Sequence, residues 1–483
     1  FGNVKVTGAT ALTGASVSLA DPANDFIGQV TVTAGATAIS DANDLKVSLT
    51  TGETKLTTGG ALSVSGVVSG ALTASSTGSI SQFGTLKVTG STALTGAIVS
   101  LADPANDFIG QVTVSAGATA ISDANDLKVS LTTGETKLTT GGVLSLSGAV
   151  TGNLDLDVSA SVSNFGILSV SKTARVRVSN QSDVSLVGSN TFNYLDIASG
   201  GKVLISGATS GGVIVSGASS IEIKGSKVLS APGNGITVVS AGSVVISGNT
   251  VSNSGKSGIV VSNSTAADVR DNTINISGAD GIALESISAS LVRRNIVTGA
   301  VGYGIRLTAL SGASVADNTI MAPGLDAIRL PGTDSPNRLS GNIYQAIPAG
   351  RQFVDVGNPG FDGFSLTSLA NPPVIASVSP GANSTLVTGS YLGRPNTVST
   401  IELYRTGAGG KADPVGVFTG TTDALGVMVF DFTVDNAKVG QGFRAVATTP
   451  TQSSEFSPEL ADGKSLLVSV RGGAGQSAMI SEP

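Results

Sequence analysis

Hydrophobic and polar residues alternate in short runs along most of this chain. VKVTG, ASVSL, QVTV, TAIS, LKVSL, TKLTT and LSVSG follow one another in the first 66 residues, separated by Gly, Asp, Asn or Pro. Alternation with period two places one face of each run on a core and the other in solvent, so each run predicts a strand. The runs recur about every ten residues.

A second, longer period overlies the first. Residues 1–82 and 83–164 are a tandem duplication, with Phe1-Gly2 matched by Phe83-Gly84, and Phe165-Gly166 opens a third copy that soon diverges. Roughly 64 of the 82 positions are identical, which is closer than globular domains repeat but suits a solenoid, whose units touch only their neighbours. Two or three strands per coil predict about four coils of some 20 residues in each block.

Further on the period shortens and sharpens. Gly235, Gly258, Gly281, Gly304 and Ala327 stand 23 residues apart, each followed by Ile, and two residues later come Val238, Val261, Leu284, Leu307 and Leu330. Residues i and i+2 of a strand share a face, so both columns point into one core. Val251, Ile274, Val297 and Ile320 form another apolar column. Asn249, Asn272, Asn295 and Asn318 form a polar one, with Asn342 one place out of step. One coil per layer stacks like residues about 4.8 Å apart, so the asparagine amides are expected to bond to one another and to the turn backbone.

The NGITV, SGIVV, DGIAL and YGIRL strands and the NTV, NTI and NIV turns over residues 200–345 resemble the right-handed parallel β-helix repeat proteins. Residues 1–164, through NDFIGQVTV and DANDLKVSLTTG, resemble the repeats of secreted bacterial adhesins of the filamentous-haemagglutinin type. The first resemblance implies a fold, and the second an extracellular setting. β-helices also carry polysaccharide lyases, hydrolases and epimerases, so that activity is kept as an alternative.

Composition shifts after residue 345. Residues 346–372 are irregular and hold Phe353, Phe361 and Phe364, which are expected to plug the open apolar end of the coils. Residues 373–463 contain about seven further alternating runs, the rhythm of an immunoglobulin-like sandwich. The prediction is therefore all-β: a right-handed parallel β-helix followed by a small immunoglobulin-like β-sandwich. Its parts are two tandem repeats (1–164), 23-residue coils (165–345), a cap and linker (346–372), the sandwich (373–463) and a final strand and tail (464–483).

Composition narrows the function. Gly is abundant at 64 residues and charged residues are 12%, while Cys, His and Trp are absent. Disulfides and thiol chemistry are excluded. The net charge of −6 gives no basic face for nucleic acid. No apolar run approaches the roughly 18 residues of a membrane span. The cysteine-free composition suits large bacterial surface proteins that cross membranes unfolded, and the absence of an initiating Met suggests a processed or excised chain.

The candidate chemistry is sparse. Asp271, Arg294 and Asp317 form one stacked column, with two carboxylates flanking a guanidinium. A carboxylate pair could serve glycoside hydrolysis, but an arginine between them lowers carboxyl pKa values, whereas a general acid needs them raised. The column reads as a charge ladder. Arg306 and Arg329, with Asp326 and Glu285 nearby, could line a groove for an acidic sugar, but a solvated face is the preferred reading; Tyr303 is the lone aromatic of the regular coils. Asp21, Asp25, Asp41 and Asp44, repeated as Asp103, Asp107, Asp123 and Asp126, are candidate Ca²⁺ ligands. Tight turns use the same residues for their local hydrogen bonds.

The expected function is structural and non-catalytic: a subunit of an extracellular fibre or sheath assembled head to tail, with no cofactor required. Phe1, Leu466, Leu467, Val468 and Val470 are candidate inter-subunit residues, the last strand pairing with a neighbour's sheet edge. The alternatives are an adhesin stalk that presents a binding module to a glycan or host surface and, behind it, a polysaccharide-active enzyme.

Overall fold

The structure is a computed structural model. It describes residues 2–309, 312–330, 337–357, 370–435 and 441–451, with shorter pieces at 453–461, 463–465, 467–468 and 480–481. It is all-β, and its coils form a right-handed parallel solenoid. The chain divides into two compact units, 1–227 and 228–483. The boundary expected at 164/165 falls inside one continuous strand, Val162–Val178.

In the first unit the alternating runs become strands with alternating burial. Leu45–Thr51 buries Leu45, Val47, Leu49 and Thr51 and turns Lys46 and Thr50 outward. Parallel pairing then links each coil to the next. Thr10 pairs with Val30, Val30 with Val47, Val47 with Val64 and Val64 with Gln82. Four coils thus carry the chain from Thr10 to Gln82. The repeat counterpart of Thr10 is Thr92, which stands half a coil beyond Gln82. It pairs with Leu72, in a different column that runs back through Thr54 to Thr37. The exchange is mutual: Thr119, the counterpart of Thr37, lies in the column of Val99, Ile80, Leu62 and Leu45. One repeat therefore spans four and a half coils, not the four predicted, and its two copies face opposite sides.

Two glycines stand where the register to the next coil shifts, between Gln82 and Leu86 and between Asn164 and Leu168. Gly66 and Gly148 have φ of 108° and 110°, and a Cβ there would sit 2.0 Å from the carbonyl oxygen of Leu49 or Leu131 in the coil below. That backbone conformation and that clearance admit only glycine.

In the second unit the 23-residue period is the coil. Ile236, Ile259, Ile282, Ile305, Ile328 and Val354 pair in succession, all buried. Residues in the left-handed region mark the turns. Three of these columns are Ser240, Asn263, Ser286 and Ala309; Gly248, Asp271, Arg294, Asp317 and Gly341; and Ser230, Asn253, Ile276, Gly299 and Ala322.

Residues 374–448 fold into two antiparallel sheets. Val374–Pro380, Ser384–Leu392 and Val427–Asp435 form one, and Lys411–Thr421, Val398–Gly407 and Gly442–Thr448 the other. Val387, Tyr391 and Phe430 from the first meet Ile401, Leu403 and Phe443 from the second in a shared core. This sandwich covers the last coil. Tyr344 and Phe353 of the coils meet Tyr404 and Phe456 of the sandwich, with ring centroids 4.9 to 5.9 Å apart. Tyr344 also pairs with Ala412. Of the expected plug, Phe353 belongs to this cover, and Phe361 and Phe364 lie outside the described residues.

Candidate functional site

The asparagine column is a continuous hydrogen-bonded ladder. The backbone N–H and Nδ2 of Asn249 both donate to Oδ1 of Asn272, each at 3.0 Å. Asn272 donates in the same way to Asn295 (3.1 and 2.9 Å), Asn295 to Asn318 (3.0 and 3.0 Å) and Asn318 to Asn342 (3.1 and 3.0 Å). The second Nδ2 hydrogen of Asn272, Asn295, Asn318 and Asn342 reaches a strand carbonyl, of Ile246, Val269, Val292 and Val315, each at 2.8 Å. Asn342 joins despite its shifted spacing. All five asparagines are buried, so they satisfy turn backbone that water cannot reach.

Asn24, Asn106 and Asn190 play the same part in the first unit. Their Oδ1 atoms accept from the backbone N–H of Val4, Leu86 and Leu168 at 2.8, 2.8 and 2.9 Å. Asn24 and Asn106 lie within the acidic turns, between Asp21 and Asp25 and between Asp103 and Asp107, and Asn190 lies in neither. The signal that could have found them is their shared place at a coil corner.

The acidic turns are built from backbone caps. Asp41 accepts from the N–H of Phe26 (2.7 Å) and Asn43 (2.8 Å), Asp21 from Ala23 (2.9 Å) and Asp44 from Ala61 (2.7 Å). Asp25 is paired with Lys5 at 2.6 Å, and Asp107 with Lys87 at the same distance. Hydrogen bonding to these lysines holds both carboxyls below their usual range. Asp123 accepts from Phe108 and Asn125, each at 2.7 Å, yet burial pushes its pKa up. Among the described residues no three His, Cys, Asp or Glu gather as a metal site.

The charge column sits at the left-handed turn positions. Arg294, at φ 52°, grips Asp271 with two bonds, Nε to Oδ1 at 2.7 Å and Nη2 to Oδ2 at 3.0 Å. This lowers the Asp271 pKa and raises that of Arg294. Asp317 is exposed at the next turn. Arg306 is bound to Asp280 at 2.6 Å and to Thr308 at 3.0 Å, and Arg329 to Asp355 and the carbonyl of Gly357. Asp326 caps the N–H of Gln352 at 2.7 Å, and Glu285 is exposed.

Two further places lay beyond the sequence reading. At the sandwich junction, buried Glu402 accepts from the N–H of Gly341 (3.0 Å) and the hydroxyl of Tyr404 (2.9 Å), and burial raises its pKa. In the first unit a 460 Å³ groove runs across successive coils, from Ile98 and Ser100 through Ala118 and Ala120 to Lys137, Asp155 and Arg175. Of the candidate inter-subunit residues, Leu467 and Val468 pair with Ser481 and Ile480, and Phe1, Leu466 and Val470 lie outside the described residues.

Residues 211–364 match the family model described as the right-handed beta helix region. Residues 1–33 and 34–115 match a model of repeats of unknown function, the second window being as long as one 82-residue repeat. No curated protein matches the chain. Among solved structures, the enzymatically active domain of bacteriophage CBA120 tailspike protein 2 matches at 13% identity and a TM-score of 0.19, over 82% of this chain and 68% of that one. Among the described residues no helix is long and apolar enough to cross a membrane.

Proposed function

We propose that this chain, whose residues 211–364 match the β-helix family model, is a non-catalytic surface solenoid of the adhesin-stalk kind. It holds a terminal sandwich, read as an immunoglobulin-like presenting module, at a fixed place on a column of coils outside the cell. The junction carries this reading. Tyr344, Tyr404 and Phe456 are each 1% exposed or less where the sandwich meets the last coil. Contact that dry fixes a module rather than tethering it. It also covers the coil end that a fibre joined coil to coil would use, which favours a stalk over a head-to-tail filament.

The acidic groups support the non-catalytic part. The raised carboxyls, Asp123 and Glu402, are spent on backbone caps inside a turn and inside the junction. Asp271, beside the coil surface, has its pKa lowered by Arg294, opposite to what a general acid needs. The test incubates the full chain with neutral and acidic polysaccharides, follows reducing ends and unsaturated uronates, and images the protein by electron microscopy. Retention on a glycan or cell surface without cleavage, from discrete particles, is expected. Cleavage abolished by Arg294→Ala, or end-to-end fibres of the isolated protein, would overturn the reading.

A further inference from the structure

One coil face of the first unit carries an ordered charge pattern. Lys137, Asp155, Arg175 and Asp196 occupy successive coils in a single outward column, as their pairing shows. Their signs alternate: plus, minus, plus, minus. The next column reads Thr139, Asp157, Arg177 and Ala198. The column on the other side reads Glu135, Asn153, Thr173 and Tyr194, flanking the strand residues on the same face. The first repeat copy lacks the pattern. Asp155 and Asp157 stand where the first copy has Thr73 and Ser75, and Arg175 where it has Ala93.

Within the chain these groups are only loosely satisfied. Arg175 lies 3.9 Å from Asp155 and 4.0 Å from Asp196, at the outer limit of an ion pair. The side chains of Arg175 and Asp155 are 52% and 47% exposed. Arg177 to Asp196, at 2.6 Å, is the one close pair among them.

We propose that this face is an interface for a second copy of the same chain, packed face to face with its coil axis reversed. A two-fold axis along the strand direction, between the coils of Asp155 and Arg175, reverses the coil order and keeps each column opposite itself. It sets Lys137 against Asp196 of the second copy, Asp155 against Arg175 and Asp157 against Arg177. Each pairing occurs twice, the signature of an isologous contact. Glu135 then meets the Tyr194 hydroxyl, and Asn153 meets Thr173. No like charges oppose one another. The other face-to-face two-fold, along the coil axis, keeps the coil order and exchanges the outer columns. It sets Lys137, Asp155 and Arg175 each against its own copy, and these like charges repel. The charge order therefore selects the antiparallel arrangement.

Shape agrees with charge. The small residues Ala118 and Ala120, which line the groove, fall opposite Gly212 and Ile214 of the second copy, one coil beyond Asp196. Six coils at about 4.8 Å and three columns at about 6.8 Å give roughly 600 Å² per copy. That is the lower end of specific interfaces, so the contact is expected to be weak and salt-sensitive.

The test exploits a mutual rescue. Asp155→Arg alone sets two arginines opposite each other in a homodimer, and Arg175→Asp alone sets two aspartates. In a mixed dimer of the two variants both contacts again join opposite charges. Sedimentation of the full chain at low ionic strength is expected to show a dimer that weakens as salt rises. Each variant should dimerise roughly tenfold or more weakly, and an equimolar mixture should regain the wild-type constant. Circular dichroism establishes that each variant is folded, and the double variant Asp155→Arg/Arg175→Asp, complementary to itself, should dimerise even if a single one unfolds. A wild-type chain that stays monomeric at low salt would overturn the proposal. So would single variants that dimerise like wild type, or a mixture of folded variants or a double variant that does not dimerise.

Discussion

Replacing Asn295 by alanine probes the ladder at its middle. The Asn295 side chain makes four hydrogen bonds. Its Oδ1 takes the N–H and Nδ2 of Asn272, at 3.1 and 2.9 Å, and its Nδ2 gives to Asn318 Oδ1 at 3.0 Å and to the carbonyl of Val269 at 2.8 Å. Two of the partners survive the loss in part. Asn318 Oδ1 still receives the backbone N–H of residue 295, and Asn272 Nδ2 still reaches Ile246. The Asn272 N–H loses its acceptor inside a site where Asn272 and Asn295 are at most 1% exposed. Stranding a buried polar group costs about 1–3 kcal/mol, and the freed amide hydrogen and carbonyl contact add to it, so roughly 2–5 kcal/mol is expected. A coil array need not unfold in one step, which makes local hydrogen exchange the better assay. The Asn272 amide should exchange roughly thirtyfold or more faster in Asn295→Ala, at about 1.4 kcal/mol per factor of ten. The Asn249 amide, one rung away and still bound to Asn272 Oδ1, should change much less. Unchanged protection at Asn272 would refute the ladder as a source of stability. Equal loss along the whole column would refute its nearest-neighbour character.

Three other outcomes are expected. Phe456→Ala removes a ring from the junction of Tyr344, Phe353 and Tyr404, should cost about 3–5 kcal/mol there, and is read by faster proteolysis between coils and sandwich. Glu402 has a raised pKa in the fold, so its contribution is most favourable at low pH and is lost as pH rises through the folded value. Wild-type stability relative to Glu402→Gln should therefore rise as pH falls from 7 to 4 in thermal melts, and a pH-independent difference would contradict this. Arg294 sits at φ 52°, where a Cβ costs about 1–2 kcal/mol, while its pair with Asp271 lies in solvent and is weak. Arg294→Gly should thus match or exceed wild-type stability while Arg294→Ala falls below it, and the Asp271 pKa, followed by NMR, should return toward its ordinary value in both.

Where coil length is constant, the sequence displays the fold. The Ile and Asn columns stand 23 residues apart from 235 onward, and both proved to be stacked columns. Where coil length varies, the same physics leaves no fixed spacing. Lys137, Asp155, Arg175 and Asp196 are successive coil neighbours, yet 18, 20 and 21 residues separate them, so no period exposes the column. Asn24, Asn106 and Asn190 are hidden in the same way. The junction was hidden for a different reason. Glu402 meets Gly341 across 61 residues of chain, and only the docked sandwich brings them together. The sequence did expose Asp271 and Arg294 as neighbours, but their left-handed backbone, which makes the column a turn device, is a property of the coil corner.

The half coil left over in each repeat gives this architecture an unusual arithmetic. Copying one 82-residue block into the first unit would lengthen its stack by about 22 Å and turn the coils of that unit beyond the insertion through half a revolution. Copying two would lengthen it twice as far and restore the original bearing. An odd change in repeat number therefore moves a given face of the first unit's later coils to the opposite side, with no residue altered. Expansion and contraction of near-identical blocks would act on direction as well as reach.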